Sequence, residues 1–180
     1  GRPRPAFISR SPRSGVLYAM LRRLLLVPVL VFTRAAADDV NTACATCHNP
    51  SLGFSDGLQT AKNLSRNSIS LWNVGYETDV FWDGRATSLE EQMLVPLLEA
   101  TEMAGSPEEI ESRLKAIPAY VSLFDNAFGN GADSVTMENA QSAIASFERT
   151  LITNNSPFDK YAAGQFDALT AQQRRGLNLF

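Results

Sequence analysis

Apolar residues recur with helical spacing along the second half of the chain. After Thr136, they stand at the i, i+3, i+4, i+7 and i+11 positions of one helix face. These residues are Ala140, Ala143, Ile144, Phe147 and Leu151. Few segments show the strict alternation of apolar and polar residues that predicts strands. From residue 38 onward the pattern therefore predicts an all-α protein.

Helix start signals support this prediction. Ser88 is followed three residues later by Glu91, the spacing of a capping box in which each side chain bonds the other residue's backbone N–H. Pro96 lies inside the helix that begins after Ser88, and a proline there removes a backbone donor and predicts a kink. Further start signals stand at Ser106, Thr136 and Thr170.

A long segment before these helices has a different composition. Residues 49–81 carry Gly, Asn, Ser and Asp at short intervals, which predicts a long ordered loop with short turns. A loop of this length is uncommon in a compact domain unless it has a function.

The N-terminal residues have the pattern of a leader. Met20 is followed by Arg22 and Arg23, then by the apolar run 24–32 and by small residues before Asp38. A basic start, a short apolar core and a small-residue cleavage site predict a secretory signal peptide that begins at Met20, within a leader of residues 1–37. The run is shorter than the roughly 20 apolar residues of a membrane-spanning helix. The alternative is that residues 31–34 belong to the first helix of the mature domain.

Composition limits the partners and the kinds of site that this chain can have. The chain is 44% apolar and 19% charged with a net charge of -3, which is ordinary for a globular protein. This mild acidity argues against nucleic acid as a partner, because no basic face is available for phosphate contacts. The two cysteines and the one histidine all fall between residues 44 and 48. Any site that needs a thiolate or an imidazole must use this cluster or borrow from another chain.

The cluster itself is Cys44-Ala45-Thr46-Cys47-His48, a C-x-x-C-H sequence typical of covalent c-type haem attachment. Two thiols on one helical turn can reach both vinyl groups of a porphyrin, and His48 can then ligate the iron. Three alternatives fit less well. A zinc site needs four ligands, a thioredoxin-like pair needs a βαβ setting, and a disulfide leaves His48 unexplained.

The sequence does not determine the second axial ligand of the iron. His48 is the only histidine, so the opposite face is empty, bound to water or held by another residue type. An open face allows peroxide binding, whereas a methionine closes it and gives an electron carrier. Met20 belongs to the predicted leader, and Met93 and Met137 fit core packing. Met103 is the remaining methionine.

A series of short motifs follows the cysteine cluster. They are Cys44 to Pro50, Gly53 to Gly57, Arg66-Asn67-Ser68, Phe81 to Arg85, Ser88-Leu89 with Gln92, Pro96, Glu102-Met103, Ala143 to Leu151 and Ser156 to Tyr161. Together they resemble the first half of the bacterial di-haem cytochrome c peroxidases and their methylamine-utilisation relatives, over about residues 44–180. The resemblance implies a cytochrome c-like haem domain with long ordered loops at residues 38–169. Residues 170–180 would begin a second haem domain, so the chain is expected to be C-terminally truncated.

The resemblance also implies roles for side chains over the iron. Gln92 and Glu102 match the pair that handles protons during peroxide cleavage, and Pro96 matches a proline near the same haem face. Without the resemblance, Gln92 is an exposed helix residue and Glu102 a solvated carboxylate at a helix end.

Two further positions match functional residues of the family. Trp82 matches a tryptophan that assists electron passage between the two haems, and its ordinary interpretation is a buried aromatic side chain. Asn67 matches a calcium ligand, although a single amide oxygen is a poor half-site because calcium takes about six to eight oxygens. Asp83 and Arg85 are expected to form a local ion pair.

The sequence departs from the family in one informative place. Residues 59–65 contain no histidine of the kind that blocks the first haem in many members, so this haem is expected to stay open. The resemblance implies a periplasmic enzyme, often dimeric, that reduces hydrogen peroxide with electrons from a small cytochrome c or copper protein. Without its second haem, this chain should turn over poorly. The alternatives are an electron carrier closed by Met103, a relative that oxidises a partner protein, and a helical binding module without haem.

Overall fold

The computed structural model of the chain describes residues 42–61 and 64–180, so the predicted leader at 1–37 lies outside the described residues. The described part contains helices and no strand, apart from two isolated bridges. The α-helices are α1 Cys44–Cys47, α2 Leu89–Gln92, α3 Leu94–Leu98, α4 Pro107–Lys115, α5 Pro118–Phe128, α6 Met137–Glu148, α7 Pro157–Ala162 and α8 Ala171–Leu179. The predicted all-α class is confirmed. None of the described helices is long and apolar enough to cross a membrane.

The predicted helix starts are confirmed with one correction. The side chains of Ser88, Ser106, Thr136 and Thr170 each accept a hydrogen bond from the backbone three residues later. The capping box predicted at Ser88 is displaced, because the Glu91 carboxylate accepts from the Thr87 backbone N–H at 2.9 Å instead of from Ser88. The Thr87 hydroxyl donates to the same carboxylate oxygen at 3.2 Å, which makes Thr87 the better partner.

The kink predicted from Pro96 is present as an interruption of the helix at one residue. The helix that begins after Ser88 ends at Gln92, and α3 begins at Leu94 after a turn at Met93. A proline ring collides with the carbonyl four residues earlier, which here belongs to Gln92. The break therefore falls before Pro96 rather than at it.

The main core lies among α3, α4, α5 and α6. Its buried members are Met93, Leu97, Met103, Ile110, Leu114, Tyr120, Phe124, Val135, Met137, Ala140, Ala143 and Ile144. The predicted α6 stripe supplies three of these, while Leu151 is buried just beyond the helix end and Phe147 is partly buried. Burial of each large side chain contributes roughly 1.5–3 kcal/mol.

Helix α6 also packs against α2. The Arg149 guanidinium, directly after α6, donates to both oxygens of Glu90 at 2.7 and 2.9 Å, and the Gln141 amide donates to the Glu90 carbonyl at 3.0 Å. A bidentate pair of this kind fixes orientation as well as distance. These contacts hold Gln92 on α2 and Glu148 on α6 as walls of one cavity.

The predicted long loop lies around α1 in its described residues, 49–61 and 64–81. It contains two short 3-10 helices, Pro50–Leu52 and Val74–Tyr76. The Ser68 hydroxyl donates to the Cys47 carbonyl at 2.6 Å, and the Ser55 hydroxyl donates to the Ser68 carbonyl at 3.1 Å. These bonds attach the loop to the turn that carries both cysteines.

Candidate haem site

The cysteine cluster forms a single helical turn beside a cavity. Cys44 and Cys47 stand at the two ends of α1 and form no disulfide, and the His48 backbone N–H closes the turn on the Cys44 carbonyl at 2.9 Å. All three side chains line the cavity. Helix α1 therefore presents two thiols and an imidazole to one space, which is what c-type attachment requires.

The His48 ring is prepared for metal binding. Its Nδ1 lies 3.0 Å from the Phe54 carbonyl, and a carbonyl can only accept, so Nδ1 carries the hydrogen. Burial lowers the pKa of His48, which favours the neutral ring, while the backbone carbonyls of Phe54 and Ile69 oppose the shift. A neutral ring with Nδ1–H bonded to a carbonyl leaves the Nε2 lone pair for iron, the usual arrangement of a metal-ligating histidine.

The Cys44 thiol is un-ionised at neutral pH. Burial raises its pKa to about 11, and the charge of Glu148 adds to the shift. A thiol in this state lacks the thiolate on which redox-active cysteines depend. Within the described residues, no group of three or more Cys, His, Asp or Glu side chains could hold a metal ion.

The cavity has a volume of about 380 Å³, within the roughly 300–1,000 Å³ of typical cofactor pockets. Two buried side-chain oxygens in the described part of the chain have no hydrogen-bond partner, Asp56 Oδ2 and Glu148 Oε2. Both residues line this cavity. An unpaired buried polar atom costs about 1–3 kcal/mol, so the pair indicates that a further group belongs in the space. The thiols, the imidazole and the orphaned oxygens together fit a haem.

Three of the residues assigned from the resemblance line the same cavity as His48. They are Gln92, Pro96 and Glu102. Burial raises the pKa of Glu102, the charge of Glu99 adds to this, and Arg85 opposes it. A raised pKa brings a carboxylate nearer to the pH at which it can both accept and donate a proton. Glu102 is half-buried rather than solvated. Met93 and Met103 also line the cavity while belonging to the core.

Trp82 lies away from this cavity. Its side chain is 61% exposed, so the ordinary interpretation of a buried aromatic is wrong, and its Nε1–H donates to the Asn67 carbonyl at 2.9 Å. The Asn67 amide nitrogen donates to the Leu58 carbonyl, which leaves its side-chain oxygen for any calcium ion. The assignments of Trp82 and Asn67 stay predictions.

The predicted ion pair of Asp83 and Arg85 is present at 2.8 Å, and Arg66 joins it at 2.9 Å. Hydrogen bonds from Arg66 and Arg85 lower the pKa of Asp83 to about 2. The Arg85 guanidinium also lies 3.5 Å from the centre of the Phe81 ring. This network orders the surface around Trp82.

Three site residues were missed in the sequence. Asp56 and Phe54 lie in the Gly53 to Gly57 motif, but no residue pattern shows that one has an orphaned oxygen and the other binds His48. Glu148 could have been found from its spacing in the sequence. It follows Ile144 by four residues, which places a carboxylate on the apolar face of α6.

Glu148 should make the stability of the haem-loaded chain depend on pH. Burial raises its pKa from 4.5 to about 7, against the opposing charge of Arg149. The folded chain therefore holds a proton that the unfolded chain releases. We expect the free energy of unfolding to fall as pH rises from about 4.5 to 7, by about 3 kcal/mol in total. Urea unfolding at several pH values measures this.

The variant E148Q keeps the shape of the side chain but cannot ionise. Its free energy of unfolding should therefore not decrease between pH 4.5 and 7. E138Q, an exposed change on the same helix, should retain the decrease. An unchanged pH dependence in E148Q would show that Glu148 is not the responsible group.

Comparison with known proteins agrees with this geometry. Residues 29–167 match the family model described as di-haem cytochrome c peroxidase. The chain is 39% identical over 163 residues to the methylamine utilization protein MauG of Methylorubrum extorquens, covering 88% of this chain and 46% of that protein. It is 39% identical over 143 residues to the cytochrome c551 peroxidase of Pseudomonas aeruginosa, covering 77% and 41%.

A solved structure shows the same fold. A MauG-like protein associated with microbial copper homeostasis superposes with a TM-score of 0.79 at 27% identity, covering 88% of this chain and 48% of that one. The chain thus spans a little under half the length of these relatives. The chain belongs to the di-haem cytochrome c peroxidase family.

Proposed function

We propose that this chain is the peroxide-reacting haem domain of a periplasmic oxidoreductase. Haem c would be attached to Cys44 and Cys47, with His48 as its iron ligand. The observation that carries the proposal is a single cavity that holds the neutral His48 imidazole together with Gln92 and Glu102. The predicted leader supports a periplasmic location, because covalent haem attachment requires export.

The residues of the cavity would divide the work. The haem, when bound, supplies the iron that binds peroxide and the electrons that break the O–O bond. Glu102 accepts a proton from hydrogen peroxide and returns it to the departing oxygen as water. The Gln92 amide donates a hydrogen bond that orients the peroxide, and Pro96 shapes the wall beside it. Overall, H2O2 takes up two electrons and two protons and gives two molecules of water.

Electrons would reach this haem from a second haem domain of the full-length protein, through Trp82. The exposed position of Trp82 and the ordered network of Arg66, Asp83 and Arg85 around it support this route. The original donor would be a small cytochrome c or copper protein. Asn67 would give one oxygen to a calcium ion completed by the second domain, in a protein that forms a homodimer.

Two other functions have a specific observation in their favour. The 39% identity to a methylamine utilization protein favours oxidation of a partner protein. Met103 lies in the cavity with His48, which favours an electron carrier with a methionine on the iron. The electron paramagnetic resonance spectrum separates the carrier from the peroxidase, because methionine ligation gives a low-spin ferric signal and an open site a high-spin one.

The proposal is tested on the chain expressed in a periplasm with haem-maturation machinery. We expect a red protein with covalent haem, a high-spin ferric spectrum and a change in the Soret band within seconds of adding equimolar peroxide. Turnover of these 180 residues with reduced cytochrome c should be slow, because they cover only 41% of the related cytochrome c551 peroxidase. A low-spin spectrum that peroxide leaves unchanged would contradict the proposal.

A further inference from the structure

A row of three aromatic rings leads from the surface to the haem cavity. The Phe54 ring lies edge-on to Trp72, with centroids 5.4 Å apart and planes at 82°. The same ring also lies edge-on to Phe147, at 6.3 Å and 71°. Trp72 is 42% exposed, Phe54 is buried, and Phe147 lines the cavity with His48. The row therefore connects solvent with the cofactor space.

Phe54 also connects to the iron ligand through its backbone. Its carbonyl accepts the hydrogen bond from His48 Nδ1 at 3.0 Å, while its ring contacts Trp72. Trp72 and His48 together line a second cavity next to the first. Phe54 thus contacts the partly exposed Trp72 indole through its ring and His48, the proposed iron ligand, through its backbone carbonyl.

The backbone around Trp72 is held in place. The Trp72 N–H donates to the Ser70 hydroxyl at 3.2 Å. The next residue, Asn73, donates its N–H to the Leu151 carbonyl at 2.7 Å and pairs its side chain with Thr153. The indole is consequently presented to Phe54 by a fixed segment, while part of it stays in contact with water.

Indole is far more easily oxidised than the phenyl rings of Phe54 and Phe147. We propose that Trp72 is a redox-active residue that passes single electrons from the protein surface through Phe54 to the haem held by His48. The inference rests on the proposed peroxide reaction, which supplies the oxidant. It defines a route separate from Trp82, which lines neither cavity.

The electron and proton balance is simple. Peroxide takes two electrons from the haem group, and Trp72 returns one of them while its Nε1 proton leaves to solvent. A one-electron donor at the surface, the small cytochrome c or copper protein of the proposed function, then restores the indole with one electron while a proton returns from solvent. Without a reductant, loss of a second electron lets water add to the ring. The net reaction is then Trp plus H2O2 giving hydroxytryptophan and H2O.

The test uses the haem-loaded chain with a few equivalents of hydrogen peroxide and no reductant. The Soret band reports the reaction of the haem, and tandem mass spectrometry of peptides reports added oxygen at each aromatic residue. We expect oxidation at Trp72 in the unchanged chain. F54L keeps an apolar side chain but removes the ring that contacts both Trp72 and Phe147, so oxidation of Trp72 should fall by roughly tenfold or more. An oxidant diffusing through solvent would attack Trp72 equally in both.

W72F provides a second measurement, which does not depend on F54L folding. Loss of the electron source should lengthen the lifetime of the peroxide-oxidised Soret spectrum by roughly tenfold. Y76F is the matched control, because Tyr76 is 69% exposed and lines neither cavity. Its spectrum should decay as in the unchanged chain.

The outcomes separate the two proposals. A Soret change without oxidation of Trp72, or with equal oxidation in F54L, would overturn the role of Trp72 and leave the peroxide reaction standing. An unaltered lifetime in W72F would overturn it as well. No Soret change at all would refute the peroxide reaction and this inference together.

Discussion

Replacing Glu102 with glutamine should lower the rate constant for the reaction of the haem-loaded chain with hydrogen peroxide by about 10²- to 10⁴-fold. Glutamine keeps the size of the side chain but cannot accept the peroxide proton. The cavity position of Glu102 and the raised pKa that burial gives it suit it to this step. Stopped-flow absorption at the Soret band measures the rate constant directly.

The pH dependence sharpens this expectation. A base must be ionised to accept a proton, so the rate constant of the unchanged chain should fall as pH drops through the raised pKa of Glu102. E102Q should have no such decline. E108Q, an exposed carboxylate removed from the start of α4, serves as the control and should react like the unchanged chain. Equal rate constants for E102Q and E108Q would exclude Glu102 from the proton transfer.

Replacing both Cys44 and Cys47 with alanine should abolish covalent haem. In the proposed site each thiol would supply one thioether bond from the turn of α1, and the described chain offers no other cysteine near the cavity. Haem should then be released completely by acid–acetone, and peroxide should produce no Soret change from protein-bound haem. Haem staining of denaturing gels and intact-protein mass spectrometry measure the loss.

Two variants control for the effect on attachment. T46A changes an exposed residue between the cysteines and should retain full haem content. H48M keeps both thiols and a side chain able to ligate iron, but should attach haem poorly because the C-x-x-C-H sequence is incomplete. Haem that resists acid–acetone in the double cysteine variant would contradict the attachment chemistry.

The helical elements could be predicted because their signals are local. Ser88, Ser106, Thr136 and Thr170 each bond a backbone group three residues away, and the stripe on α6 follows from helical geometry alone. The displaced box at Glu91 shows the limit of such signals, because two neighbouring N–H groups competed for one carboxylate and the additional Thr87 hydroxyl decided between them.

The site could be predicted only where spacing determined it. Cys44, Cys47 and His48 occupy one turn, so the sequence alone predicts that their side chains lie close together. Gln92 and Glu102 reach the cavity from either side of the break before Pro96, and only the resemblance placed them there. The orphaned oxygens of Asp56 and Glu148 depend on contacts between distant segments, for which the sequence carries no local pattern.

The hydrogen bond that holds His48 has a consequence for how this protein tolerates change. Its acceptor is the backbone carbonyl of Phe54, so no side-chain substitution at position 54 deletes the acceptor itself. The backbone at Phe54 is left-handed, with a φ of 58°. Gly and Asn adopt this conformation most easily, and Phe adopts it here. The orientation of the proposed iron ligand is thus independent of which side chain stands at position 54. Substitutions in the aromatic row or at Glu102 can therefore leave the hydrogen bond between His48 and the Phe54 carbonyl in place.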